Sequence, residues 1–205
     1  MPRITFSDDM TIAEAKKLLL SNLRTEQTCP CCTKRAKIDE RPLTGGMAQS
    51  LLAVYHYFKQ NPSQKWIHAP SFLHNHGYNR SNDFGLLRYW KLIVPALSHS
   101  DTGSKFTGIY GITPLGVDFV EGRVKMKAKV GLFARTFFGL TGDEITFQQA
   151  FRRKFNYDEV VRTVASGTYE TQTLTGRIEA IDPFAVDEAE VEAEGEENPF
   201  DLYET

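Results

Sequence analysis

Three cysteines stand within four residues, Cys29-Pro30-Cys31-Cys32. Soft thiolates at C-x-x-C spacing are zinc ligands, but a structural zinc takes four, usually from two such pairs. The chain has no second cysteine pair. His68, His74, His76, His99 or a second chain would have to complete the set. The reading taken is therefore three thiols in a turn, with no cofactor and no metal in the monomer. Three clustered cysteines are no disulfide framework either, which fits a reducing cytosol.

A second group of residues suits nucleic acid. Asn79, Arg80, Ser81 and Asn82 precede an apolar helical run that carries Arg88. Arg matches guanine O6/N7, and Asn matches adenine N6/N7. His99, Ser104 and Lys105 bracket a polar loop, SHSDTGSK, suited to backbone or minor-groove contact. Asp83 and Asp101 would repel phosphate. Arg123, Lys125, Lys127 and Lys129 alternate with Val124, Met126, Ala128, Val130 and Leu132. Period two makes this a half-buried strand with a cationic outer face. That face is either a track for phosphates or a set of lysines protecting a sheet edge.

Catalytic patterns are missing. There is no Gly-x-Ser-x-Gly elbow, no phosphate-binding Gly-Lys-Ser/Thr loop, no His-Glu-x-x-His and no evident acid pair. The chain is read as a non-enzyme.

Charge is unevenly spread. Of 24 basic and 26 acidic residues, residues 179–205 hold eleven acids and no Lys or Arg. Residues 1–178 thus carry 24 basic and 15 acidic residues, a body of +9 beside a tail of −11. A basic body with an acidic tail is a pattern of nucleic-acid binders, and also of an ordinary surface with a solubilising tail. The tail contains IDPFAVDEAE and ENPFDLYET. Their Phe184, Phe200 and Tyr203 resemble the short peptides by which replication proteins recruit partners. No apolar run approaches the roughly 18 residues of a membrane span, and MPRITFSDDM lacks a signal-peptide core.

The elements that must position these residues follow from periodicity. Thr11-Ile-Ala-Glu14 is a capping box opening a helix within residues 8–23, amphipathic through Ile12, Ala15, Leu19 and Leu23. RPLTGG breaks the chain before MAQSLLAVYHYFKQ, a second helix ended by Asn61-Pro62. KWIHA is a very short strand and PSFLHNHG a short helix. SNDFGLLRYWKLI is a third helix with Phe84, Leu87 and Trp90 inward. IVPAL and TGIYGIT are antiparallel strands around the polar loop. PLGVDFVEG is a helix with Pro114 in its first turn, where the missing N–H is unpaired anyway. FQQAFRRKF and DEVVRTV are short helices, and 179–205 is expected to be disordered.

Helix, short strand, helix, helix, strand, basic loop, strand is the order of a winged helix, in which a β-hairpin follows a helix-turn-helix. CPCCTKRAK, RPLTGGMAQSLLAVYHYF, LLRYWKLI, GIYGITPLGVDFVEG and FNYDEVV, in that order, resemble a group of phage and prophage proteins. The group shares a CPxC knuckle, a Gly-Met-Ala helix and a Y-x-I-T-x-x-G-x-x-F segment. The resemblance covers roughly residues 28–162. It implies a phage-encoded winged-helix protein in a bacterial host cytoplasm, without implying an activity.

The expected architecture is α+β. Residues 1–45 form an N-terminal helix and Cys-rich turn, 46–122 a winged helix-turn-helix, 123–165 a basic strand and helical extension, and 166–205 an acidic disordered tail. The expected partner is double-stranded DNA, in transcription regulation or genome handling. The alternative is a protein-interaction module that inhibits or recruits a host factor. The DNA sequence and oligomeric state stay open.

Overall fold

A computed structural model of the chain describes residues 4–7, 9–75, 81–99, 105–134, 136–150 and 177–180. It mixes helices and antiparallel sheets, an α+β architecture. Helix α1 (Ile12–Ser21) starts at the expected capping box, with Thr11 Oγ1 accepting from Glu14 N and the Glu14 carboxylate accepting from Thr11 N. Ala15, Leu19 and Leu23 are buried, but Ile12 is 75% exposed, so the first turn departs from the expected apolar face. Strands β1 (Gln27–Thr28) and β2 (Arg35–Ala36) form a two-stranded hairpin across the cysteines.

Strand β3 (Asp39–Pro42) leads into helix α2 (Gly45–Gln60), capped by Thr44. Helix α2 is the centre of the molecule. Met47, Leu51, Leu52, Val54 and Tyr57 are all buried, on more than one face, because other elements pack around it. Strand β4 (Ile67–His68) and helix α3 (Ala69–Asn75) follow.

Residues Ser81–Trp90 form a 3-10 helix rather than the expected α-helix. The reason lies in its spacing. Phe84, Leu87 and Trp90 are buried as expected, and a residue every third position makes one straight ridge only at three residues per turn. Gly85 lies under Tyr110, whose hydroxyl a Cβ would meet at 2.8 Å.

Strand β5 (Ile93–His99), strand β6 (Lys105–Ile112) and helix α4 (Pro114–Val120) come next. Strands β5 and β6 are antiparallel, with an irregularity between Ala96 and Ser98. The T-x-x-G-x-x-F pattern is a structural lock. Thr113 Oγ1 accepts from Gly116 N and donates to the Lys91 carbonyl, while Thr113 N donates to the Leu92 carbonyl. A Cβ at Gly116 would overlap the Leu92 carbonyl oxygen, so only glycine lets α4 lie this close. Phe119 is fully buried.

Strand β7 (Met126–Phe133), strand β8 (Thr136–Ile145) and helix α5 (Phe147–Ala150) complete the continuous part. The alternating basic strand begins at Met126, leaving Arg123 and Lys125 in the preceding turn. Strand β7 lies between β3 and β8, both antiparallel to it. The edge-protection reading of its lysines is therefore wrong, since β7 is not an edge. This sheet joins residues 39–42 to residues 126–145, across the boundaries expected at 45 and 122.

The other main sheet has the order β4-β6-β5-β9, with β9 at Arg177–Ala180 pairing with Ala96–His99. Residues 177–180, within the stretch 166–205 expected to be a disordered tail, are thus strand. The remainder of the expected tail lies outside the described residues. Trp90 ties the 3-10 helix to β7 by donating its indole N–H to the Lys127 carbonyl at 2.6 Å.

Candidate nucleic-acid interface

Ser81 and Asn82 open the 3-10 helix. Asn79 and Arg80 lie outside the described residues. Arg88 does not project. It is half-buried, its guanidinium donates to the Tyr89 hydroxyl at 3.0 Å, and its central carbon lies 4.9 Å from the Tyr89 ring centroid. Tyr89 in turn stacks on Phe137 of β8, with centroids 5.9 Å apart. Arg88 is therefore engaged with the body, unlike a residue aimed at a base edge.

His99 and Lys105 face each other across β5 and β6 as the last pair before residues 100–104. The register places both at the root of the polar loop, as expected. Ser104 lies outside the described residues, as do Phe184, Phe200 and Tyr203 of the tail.

The cationic residues near β7 are mostly neutralised by acids the sequence did not connect to them. Lys129 Nζ lies 2.7 Å from a Glu40 oxygen, and Thr141 Oγ1 donates to the other oxygen at 3.3 Å. The Lys129 hydrogen bond and charge hold the Glu40 carboxyl below its ordinary range. Lys127 approaches Glu144 at 3.7 Å. Arg123 pairs with both Asp118 and Glu121, and Glu121 also accepts from Tyr55 Oη at 2.6 Å. Lys125 is exposed, and no ion pair joins it to a described residue. Exposed pairs of this kind add little to stability, because solvent screens them. Their larger effect is to place a carboxylate beside each ammonium, which weakens the field offered to phosphate. Glu40 and Glu144 escaped sequence reading because they reach β7 only through non-local strand pairing.

The cysteines form a separate cluster. Cys29 N donates to the Lys34 carbonyl and Thr33 N to the Cys29 carbonyl, both at 2.9 Å, which closes the turn between β1 and β2. The Cys32 backbone, then the Cys31 backbone and the neighbouring thiols, hold the Cys29 thiol below its ordinary pKa. Among the candidate histidines, His68 bonds Ser71 Oγ at 2.7 Å and His74 is exposed. His76 and the His99 side chain are outside the description. Among the described residues, no group of three or more His, Cys, Asp or Glu side chains is arranged to hold a metal ion. Nor is any described helix long and apolar enough to cross a membrane.

Compared with known proteins, the chain matches no family model, no curated protein and no solved structure.

Proposed function

We propose that the chain is a winged-helix protein that binds double-stranded DNA, in transcription regulation or genome handling of the phage type. The observation that carries this reading is the order β4-β6-β5, antiparallel throughout, with α2 before β4 and with α3 and the 3-10 helix between β4 and β5. That is the connectivity of a helix-turn-helix followed by a wing. On this reading, residues 79–82 enter the major groove, since the N-terminal part of a recognition helix reaches base edges. His99, Ser104 and Lys105 touch the backbone from the wing. Arg88 positions the helix through Tyr89.

The ion pairs along β7 support a second reading, a protein-interaction module without polyanion affinity. Salt-titrated binding to random duplex, single-stranded DNA and RNA separates the two. Duplex binding whose affinity falls steeply with salt is expected, with Arg80→Ala/Asn82→Ala losing sequence preference. Lys125→Ala should lower the salt slope by about one, as for one lost phosphate contact, and Lys129→Ala by less. Absence of salt-dependent affinity for any of the three polymers would leave the interaction module.

A further inference from the structure

A third strand, β9, pairs with the hairpin that the DNA reading takes as its wing, and it brings a cation that no sequence pattern connected to that hairpin. Resting on that reading, we propose that Arg177 joins His99 and Lys105 in one row across β9, β5 and β6, and that this row takes backbone phosphates of duplex DNA.

The register makes the row. His99 of β5 pairs with Lys105 of β6 on one side and with Arg177 of β9 on the other. Directly opposed residues of neighbouring strands share a face of the sheet, so the three positions lie side by side. Neighbouring strands are about 4.8 Å apart, which makes the row roughly 10 Å long. Phosphates of one DNA strand recur at about 3.4 Å along the helix axis, so a row of that length meets more than one of them. The row also stands where the reading needs it, at the end of the hairpin next to residues 100–104. Strand β4 pairs with β6 at Ile109 and Tyr110, near the root, whereas β9 pairs with Ala96–His99, the outer part of β5. Strand β9 thus widens the wing on its DNA-facing half.

The composition of the row points to an anion. On β7, strand pairing sets Glu144 opposite Lys127. Here it sets Lys opposite His and His opposite Arg. Like charges directly opposed destabilise a sheet, so the row gains no attraction from within and is relieved by a bound anion. Residues two apart on a strand share a face, so Leu97 and Glu179, which are paired, form the next row of that face. Glu179 is thus the acid beside the row, and it favours phosphate at the tip over phosphate one row further in. Arginine is the residue best suited to anchor such a contact, because its planar fork matches two phosphate oxygens at once.

The test uses the full chain and a random-sequence duplex, with affinity measured across a salt titration. Arg177→Ala should lower the salt slope by about one and weaken binding alike on all sequences, leaving any sequence preference intact. Arg177→Lys should keep the slope, since it keeps the charge. Glu179→Gln should tighten binding at low salt. The last two variants answer the case in which Arg177→Ala detaches β9, which hydrogen exchange at Ile178–Ala180 would reveal. Salt-dependent duplex binding with an unchanged slope in Arg177→Ala would overturn the inference and leave the DNA reading standing. Weakening by Glu179→Gln and Arg177→Lys as large as that by Arg177→Ala would overturn it too, making β9 a brace only. Absence of salt-dependent binding by the unaltered chain would overturn the DNA reading, and this inference with it.

Discussion

The molecule has two hydrophobic clusters of very different depth. One surrounds α2 and gathers residues from α3, the 3-10 helix, α4, β7 and α5, including Trp90 and Phe119. The other, under the cysteine hairpin, has Leu19, Leu23 and Ala36 as its buried members, with Phe6, Cys29, Ile38 and Phe133 packed against them. Burial of apolar area stabilises roughly in proportion to its extent. The first cluster can hold a fold by itself. The second depends on its attachments, which are the Ile38 N bond to the Leu23 carbonyl and the contact with Phe133 at the end of β7. The surroundings of α2 are therefore the deeper support, and the cysteine hairpin the shallower one.

The largest effect should come from breaking the deep cluster. Trp90→Ala removes a fully buried ring and the bond to the Lys127 carbonyl, and should cost about 3–5 kcal/mol. Denaturant unfolding should show one cooperative loss that includes both main sheets. Leu23→Ala tests the shallow cluster. Its expected cost is at the low end of about 2–5 kcal/mol, because the thin surroundings can relax. Hydrogen exchange should then accelerate in residues 12–36 and stay slow in α2. If protection in α2 fell equally, the two clusters would be one cooperative unit.

The smallest effect is with pH, and it comes from two histidines, on α2 and β4. Burial pushes both His56 on α2 and His68 on β4 below the ordinary histidine value of 6.5. Below pH 6.5 the unfolded chain takes up protons that the folded chain still refuses. Stability is thus complete above about 6.5 and declines as pH falls from there through the lowered folded values. Thermal unfolding at pH 7.5 and pH 5.5 should show this decline, and His56→Gln should reduce it. An unchanged difference in that variant would assign the pH dependence elsewhere.

Local signals were legible in the sequence, and distant ones were not. Thr11 and Glu14 announce α1 because a capping box is complete within four residues. Phe84, Leu87 and Trp90 announce an inward face, and their spacing by three even anticipates the 3-10 geometry. Strands β5 and β6 are legible because a polar loop joins two apolar runs. Strands β3 and β8 went unread because DERP has no apolar alternation and TFFGLTGDEI is broken by two glycines. Without them, β7 looked like an edge, and Lys127 and Lys129 looked unpaired. Arg88 was taken for a reading residue because a cation on a helix is ambiguous until the ring beside it is placed. Ile12 followed the helical pattern, but at the first turn of α1 it is left exposed. The turn at Cys29 was visible from composition, while the bonds that close it, from Cys29 N and Thr33 N, required the backbone.

The lock at Thr113 has a mechanical consequence. Strands β5 and β6 run about 25 Å from base to far end at their usual rise per residue. At the base, Thr113 binds the strand ends through the carbonyls of Lys91 and Leu92, so the hairpin is a cantilever with a clamped root. Strand β4 braces it near the root, at Ile109 and Tyr110, and β9 braces it further out, from Ala96 to His99. A load applied beyond His99 and Lys105 meets the β9 brace before it reaches the root. Because β9 runs into the start of the acidic segment, tension on that segment bears on the same beam.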